Sequence, residues 1–232
     1  MIAKLLVWIL YRVRVEGREY IPKDGGAVII SNHMTYLDVV FLTIATGRRI
    51  RFIASDTLHK TNRLRWLLKV SFIKLIPPAK TRSFFENNLE HLKQGGLLGV
   101  FAEGQISRTG NLMAFQRGFD AIARESGVPV IPIFMDNLWQ TRFSFFHRAG
   151  MRLKPKPFRM IINIGIGPPL SGEHLTMSGA REALLDLSEA CFQRRKELQG
   201  HIADFCFRGL AGRPFFEQLI DYTAGEYPLY LV

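Results

Sequence analysis

A histidine and an aspartate with four residues between them, His33 and Asp38, are the side chains in this sequence with the clearest chemical potential. A carboxylate that accepts a hydrogen bond from one imidazole nitrogen fixes the tautomer, and it stabilises the imidazolium formed when the other nitrogen takes a proton. The pair is then a general base, a device worth ~10²–10⁴ in rate. It needs no serine nucleophile if the hydroxyl of a substrate attacks a thioester directly. The same spacing also suits a histidine merely hydrogen-bonded at a helix start, so the surrounding elements must decide.

Those elements favour a site. Ala27-Val-Ile-Ile-Ser-Asn-His33 reads as a buried strand ending in polar residues, and Leu37-Asp-Val-Val-Phe-Leu42 as the opening of an apolar helix. On one continuous helix the two side chains would point about 140° apart, given 3.6 residues per turn. A strand-to-helix turn lets the histidine fold back over the first helical turn. Reactive groups collect at such strand ends in α/β sheets.

A second polar loop follows another apolar run, in Leu97-Leu-Gly-Val-Phe-Ala-Glu-Gly-Gln-Ile-Ser-Arg-Thr-Gly110. Gly104 permits close backbone approach, Glu103 suits hydroxyl or amine groups, and Ser107 and Arg108 suit an anion. Taken alone, this stretch is equally a surface turn. A second strand end some seventy residues after the first gives it a place beside His33.

Short apolar runs at Ala27–Ile30, Phe72–Ile76, Leu97–Ala102, Val128–Met135 and Met160–Ile166 read as strands, and Tyr11-Arg-Val-Arg-Val-Glu16 alternates like one. Helical patterns occupy Asp38–Ala45, Ser83–Gln94 and Phe115–Ser126. Their alternation predicts an α/β fold, a mostly parallel central sheet flanked by helices. The expected organisation is an N-terminal amphipathic membrane-surface helix over 1–10, an α/β domain over 11–176, a helical segment over 177–200 and a C-terminal extension over 201–232, aromatic and irregular. Met1–Leu10 is too short for the ~20 residues that cross a bilayer, and an ordinary helix packed on the core would look the same.

The net charge of +11 calls for an anionic partner: nucleic acid, a membrane surface or a phosphorylated small molecule. Phenylalanine (18) far outnumbers tyrosine (6) and tryptophan (3), which suits acyl chains better than base stacking. A nucleic-acid-binding module would use the cluster Arg48, Arg49, Arg51, Lys60, Arg63 and Arg65 but leaves His33 and Asp38 without a role. A non-catalytic lipid-binding protein would have no need of the pair, and a hydrolase lacks a Gly-x-Ser-x-Gly elbow. The two cysteines, Cys191 and Cys206, have no metal or disulfide spacing and read as buried thiols in a reducing compartment.

With these motifs in order, the sequence resembles the glycerophospholipid acyltransferases, over roughly residues 11–170. Asn32-His33-x4-Asp38 resembles their catalytic motif, Phe101-Ala102-Glu103-Gly104 their Phe-Pro-Glu-Gly motif with alanine for proline, and Val130-Ile131-Pro132 a further apolar-proline motif. The resemblance implies that His33 is the base and Asp38 its partner, and that Asn32, Glu103, Gly104, Ser107 and Arg108 belong to the substrate site. It also implies no metal and no cofactor, with acyl-CoA or acyl-carrier protein as co-substrate, membrane lipids and a lysophospholipid as partners, and a peripheral place on the cytoplasmic face of a membrane. Nucleic acid is not an expected partner.

Two departures bear on the acceptor. The family arginine after an intermediate strand is absent, leaving Lys74, Lys80 or Arg82 as substitutes. Ile106 stands where an arginine normally follows the motif glycine, and Arg108 comes two residues later. Gly104–Met113 instead resembles the bacterial branch combining acyl-carrier-protein synthetase with 2-acylglycerophosphoethanolamine acyltransferase. The missing arginine at Ile106 predicts a phosphodiester head group in preference to a monoester, because a monoester carries more charge and loses more without an aligned bidentate cation. His201–Tyr222 faintly resembles the connection to an acyl-activating domain, so such a domain or protein is a further expected partner.

Overall fold

The computed structural model describes residues 7, 9–53, 74–76, 82–116, 118–139, 141, 160–171 and 175–210, with backbone alone for 74–76 and 198–210. The chain divides into two compact units, Met1–Phe192 and Gln193–Val232. The first contains the sheet and every residue of the site.

Seven strands form one sheet: β1 (Tyr11–Glu16), β2 (Ala27–Ser31), β3 (Ile50–Ile53), β4 (Lys74–Ile76), β5 (Leu97–Phe101), β6 (Val130–Asp136) and β7 (Met160–Ile166). Their order is β1-β7-β6-β2-β5-β3-β4. From β4 to β6 all neighbours are parallel; β7 runs antiparallel to β6, and β1 runs parallel to β7. The expected α/β architecture is therefore present, with two strands reversed at one side. Their reversal has a positional effect: the amino end of β1 lies at the same sheet edge as the carboxyl end of β2.

β2 lies between β5 and β6 and is buried throughout. A strand covered on both faces requires the unbroken apolar run Ala27-Val-Ile-Ile30. Its residues alternate between two cores. Ala27 and Ile29 join a cluster with Val39, Val40, Phe41 and Leu42 of helix α1 (Asp38–Thr46). Val28 and Ile30 join one with Leu92 of α2 (Arg82–Lys93), Ile122 of α3 (Phe119–Ser126) and Leu184 of α4 (Met177–Leu210). Each fully buried aliphatic side chain contributes ~1.5–3 kcal/mol, so the central strand is held on both sides.

Three expectations about elements need correction. β3 was hidden within the basic cluster: Ile50-Arg-Phe-Ile53 alternates, with Ile50 and Phe52 buried. α3 starts at Phe119, not Phe115, because Gly118 takes φ +136 and Gln116 N–H is bound to the Ala102 carbonyl. α4 runs through Gly200 to Leu210, where an irregular extension was expected. One interior glycine costs only ~1 kcal/mol, which the helix-favouring residues before it absorb. Residues 211–232 and most of 1–10 lie outside the described residues, although Val7, Ile9 and Leu10 are helical.

Arg48, which the nucleic-acid reading would aim at an anion, is instead bound to backbone. Its guanidinium donates to the carbonyls of Pro22, Gly25 and Gly95. These carbonyls precede β2 and β5, so Arg48 fastens the amino ends of the strands, the edge opposite His33. Lys60, Arg63 and Arg65 lie outside the described residues.

Gly17, after β1, takes φ +76, and a Cβ there would sit 2.0 Å from the Ile166 carbonyl oxygen. Backbone strain alone costs about 1–3 kcal/mol. Gly17→Ala should therefore lower the free energy of unfolding by at least that amount, read as a lower urea midpoint at an unchanged m-value in equilibrium denaturation.

Candidate active site

Asp38 opens α1 and is completely buried. A buried carboxylate must be paired and hydrogen-bonded, and the preceding turn supplies the donors. Oδ2 accepts from Met34 N–H at 2.6 Å, Thr35 N–H at 2.9 Å and His33 Nδ1 at 2.9 Å, while Oδ1 accepts from Thr35 Oγ1 at 2.6 Å. The helix N-terminus adds its partial positive charge. Thr35 Oγ1 also receives Leu37 N–H at 3.1 Å, which closes the turn. The turn brings His33 and Asp38 together as the spacing implied.

An ionised carboxylate only accepts, so the proton of the shared bond sits on His33 Nδ1, leaving Nε2 with a lone pair. Nε2 makes no hydrogen bond among the described residues. The imidazole side chain is 11% exposed. Its face lies on the Phe101 ring with centroids 3.8 Å apart and planes within 9°. The geometry is that of a base with one nitrogen oriented and the other available.

The His33 backbone is fixed as firmly as its ring. Its N–H donates to Glu103 Oε1 at 2.9 Å, and its carbonyl accepts from Ser107 N–H at 2.7 Å. The two sequence motifs therefore meet directly, at the carboxyl ends of the adjacent strands β2 and β5.

This arrangement gives three of the residues expected at the substrate site backbone partners. Glu103 is buried, and its second oxygen accepts Met113 N–H at 2.9 Å, so both oxygens hold backbone. Asn32 is fully buried and spans 103 positions to Met135, donating from Nδ2 to its carbonyl and accepting its N–H on Oδ1, each at 2.9 Å. Its amide locks β2 to β6, with both polar atoms engaged by Met135. The buried Ser107 hydroxyl donates to the Asn111 carbonyl at 2.9 Å and accepts Gly110 N–H at 3.0 Å, bracing its own loop rather than offering itself to an anion. All three turned inward because a strand end packed against neighbours carries more backbone N–H and C=O groups than the ladder satisfies.

Gly104 takes φ +71, and a Cβ there would collide with the Gln116 amide, so the close approach expected of it is with its own chain. Arg108 is exposed and makes no hydrogen bond or ion pair among the described residues. Arg82 is exposed and paired with Glu86 at 2.8 Å. Lys74 lies on β4 with its side chain not described, and Lys80 lies outside the described residues. Among the described residues, no group of three His, Cys, Asp or Glu is placed to hold a metal ion.

Sequence reasoning missed Thr35, Phe101's contact with the imidazole, and Arg181. The Asx-like spacing of Thr35 before Asp38 was the available signal for the first. Arg181 of α4 donates to the Met113 carbonyl at 2.7 Å and its guanidinium lies 5.9 Å from the Phe115 ring centroid. Nothing local marks it, since its partners are 68 and 66 positions away.

Burial pushes the Glu103 carboxyl above its ordinary value of 4.5, and the Asp38 charge adds a smaller push; the Met113 and His33 N–H groups and the His33 charge pull the other way. A raised folded-state value gives stability that is present below 4.5 and lost as pH rises through the folded value. The stability difference between wild type and Glu103→Gln should therefore fall with rising pH across that window, read from urea midpoints at each pH. A pH-independent difference would show that the carboxyl is not perturbed.

Known proteins resemble this chain in sequence and in fold. The Acyltransferase family model matches residues 12–136, a span containing His33, Asp38 and Glu103. A chloroplastic 1-acyl-sn-glycerol-3-phosphate acyltransferase of Arabidopsis thaliana is 30% identical over 135 residues, 56% of this chain and 38% of that one. The corresponding Brassica napus protein is 29% identical, so the chain spans 38% and 39% of the lengths of these two plant relatives. A Bacillus subtilis (strain 168) 1-acyl-sn-glycerol-3-phosphate acyltransferase is 25% identical over 201 residues, 86% of this chain and 94% of that one. The crystal structure of the 1-acyl-sn-glycerophosphate acyltransferase from Thermotoga maritima shares the fold, with TM-score 0.61 and 24% identity over 81% of this chain and 76% of that one. The family match falls on the same two strand ends that the hydrogen bonds join, and this chain belongs to the acyltransferase family.

Proposed function

We propose that the protein is an O-acyltransferase that moves a fatty acyl group from a thioester to the free hydroxyl of a lysophospholipid, with acylglycerol phosphate as the acceptor class. The observation that carries this reading is the oriented His33–Asp38 pair with a free Nε2. The acceptor class is supported by the names of the relatives, 1-acyl-sn-glycerol-3-phosphate acyltransferases. Nε2 takes the hydroxyl proton as the oxygen attacks the thioester carbonyl. The tetrahedral intermediate then expels the thiolate, which recovers the proton from the imidazolium. Acyl-CoA or acyl-carrier protein is the co-substrate, and no cofactor enters the reaction.

His33→Ala and Asp38→Asn should each reduce acyl transfer by roughly 10²–10⁴. The double variant should lose little more, because both side chains serve one proton transfer. Purified protein, labelled acyl donors and a panel of lysophospholipids, read by product mass, provide the test; full activity in folded His33→Ala sinks the mechanism.

Arg108 is the phosphate contact we favour, being exposed on the loop that ends at the site. Ile106 supports a second reading, in which a diester such as lysophosphatidylethanolamine is preferred. A phosphate monoester carries about −1.5 to −2 charge at neutral pH and loses more without an aligned arginine. The ratio of kcat/KM for the two acceptors decides. Under the first reading lysophosphatidic acid is preferred and Arg108→Ala removes the preference; under the second, the diester is preferred and Ile106→Arg reverses it.

We further propose peripheral attachment to the cytoplasmic face of a membrane. No helix among the described residues is long and apolar enough to cross one. Ile9 and Leu10 are exposed, next to the exposed Arg12, at the sheet edge that carries His33. Basic residues near an anionic surface contribute ~1 kcal/mol each. Co-sedimentation with anionic vesicles should weaken as salt rises and as residues 1–10 are removed, and binding indifferent to both overturns the attachment.

A further inference from the structure

Three aromatic rings form a column that ends on the candidate base. His33 lies on Phe101 at 3.8 Å and 9°, and the Phe101 ring is stacked with that of Phe52, centroids 5.9 Å apart and planes within 11°. Phe52 is fully buried on β3 and Phe101 nearly so at the end of β5. The sheet is shaped to admit the column. Gly99 pairs in register with Phe52, and a Cβ at Gly99 would lie 2.4 Å from Phe52 Cδ1. Gly99 and Phe101 share one face of β5, since strand side chains alternate. The missing side chain at Gly99 therefore gives Phe52 the space in which its ring reaches Phe101.

The bond from Nδ1 to Asp38 sets the rotation of the imidazole about its Cβ–Cγ bond. The parallel face of Phe101 at 3.8 Å limits excursions of the plane on one side and so narrows the orientations that bond allows. The face also has a charge pattern: the π surface of phenylalanine is negative and attracts a cation placed over it. The imidazole becomes a cation at the moment Nε2 accepts the proton. Among the described residues, the carboxylates of Asp38 and Glu103 face His33, the first on its ring and the second on its backbone N–H.

We propose that Phe101, backed by Phe52, is a positioning residue for the His33 base, which holds the imidazole plane and attracts the imidazolium formed during acyl transfer. The inference rests on the acyltransferase reading above. It assigns to Phe101 and Phe52 a part in the proton transfer itself, in addition to their packing.

The test separates charge from shape. Phenylalanines bearing one to five ring fluorines, placed site-specifically at position 101 of the full chain, drain the π face while nearly conserving volume. We expect log kcat to fall progressively with fluorination, by roughly 5- to 30-fold at the fully fluorinated end, with KM for donor and acceptor unchanged. Phe101→Tyr, which keeps an electron-rich face, should retain most of the activity. Phe101→Leu should lose kcat as the fluorinated ring does, and Gly99→Ala should do so more weakly by displacing Phe52.

A kcat indifferent to fluorination in an active enzyme overturns the proposal. An activity-independent measurement accompanies it: the ring protons of His33, assigned by comparison with His33→Gln, should be shielded by the Phe101 ring current and lose that shielding in Phe101→Leu. Unshielded protons in wild type also overturn it. Shielded protons without acyl transfer to any acceptor overturn the acyltransferase reading and, with it, the role in proton transfer.

Discussion

A fully buried carboxylate sets the terms for everything around the site. Asp38 is tolerable in its position only because its oxygens are saturated by donors from Met34, Thr35 and His33 and because it begins a helix. Removing an ion from water costs several kcal/mol even after relaxation, so the turn cannot adopt another path without exposing that cost. The imidazole is one of these donors. Orientation of the imidazole and satisfaction of the buried charge are thus the same interaction, and the backbone between them has little freedom left.

The second constraint is where the strands stop. β2 and β5 end side by side, and beyond the last ladder bonds the pairing continues through the Glu103 carboxylate for the His33 N–H, the Ser107 backbone N–H for its carbonyl, and the Asn32 amide for both backbone groups of Met135. The outcome is a rigid floor under the imidazole. Arg48 does the equivalent work at the other edge of the sheet, with three carbonyls on one guanidinium.

How much of this could be read from the sequence depended on range. Buried strands announce themselves through local apolar runs, and β2, β5, β6 and β7 stood out for that reason. The His33–Asp38 pair was visible because the spacing is short and its chemistry specific. β3 was obscured by arginines whose alternation with Ile50 and Phe52 is the strand pattern itself. The inward roles of Asn32 and Glu103 had no local signature, since polar residues at a strand end look alike whether they face a substrate or a backbone 70 or 103 positions away. Gly200 looked like a helix end because an isolated glycine is the commonest signal for one, and the helix nevertheless continues.

The Asn32–Met135 bridge has a consequence for the life of the chain before it is folded. The residue next to the base is held by a segment that leaves the ribosome 103 residues later. Contacts of such separation form only after the loop between them has been closed, and they close slowly. A nascent chain that has exposed only its first strands carries His33 and Asp38 but lacks the strand that anchors Asn32. The turn that carries His33 and Asp38 is therefore completed late in synthesis, once β6 has been made and inserted beside β2.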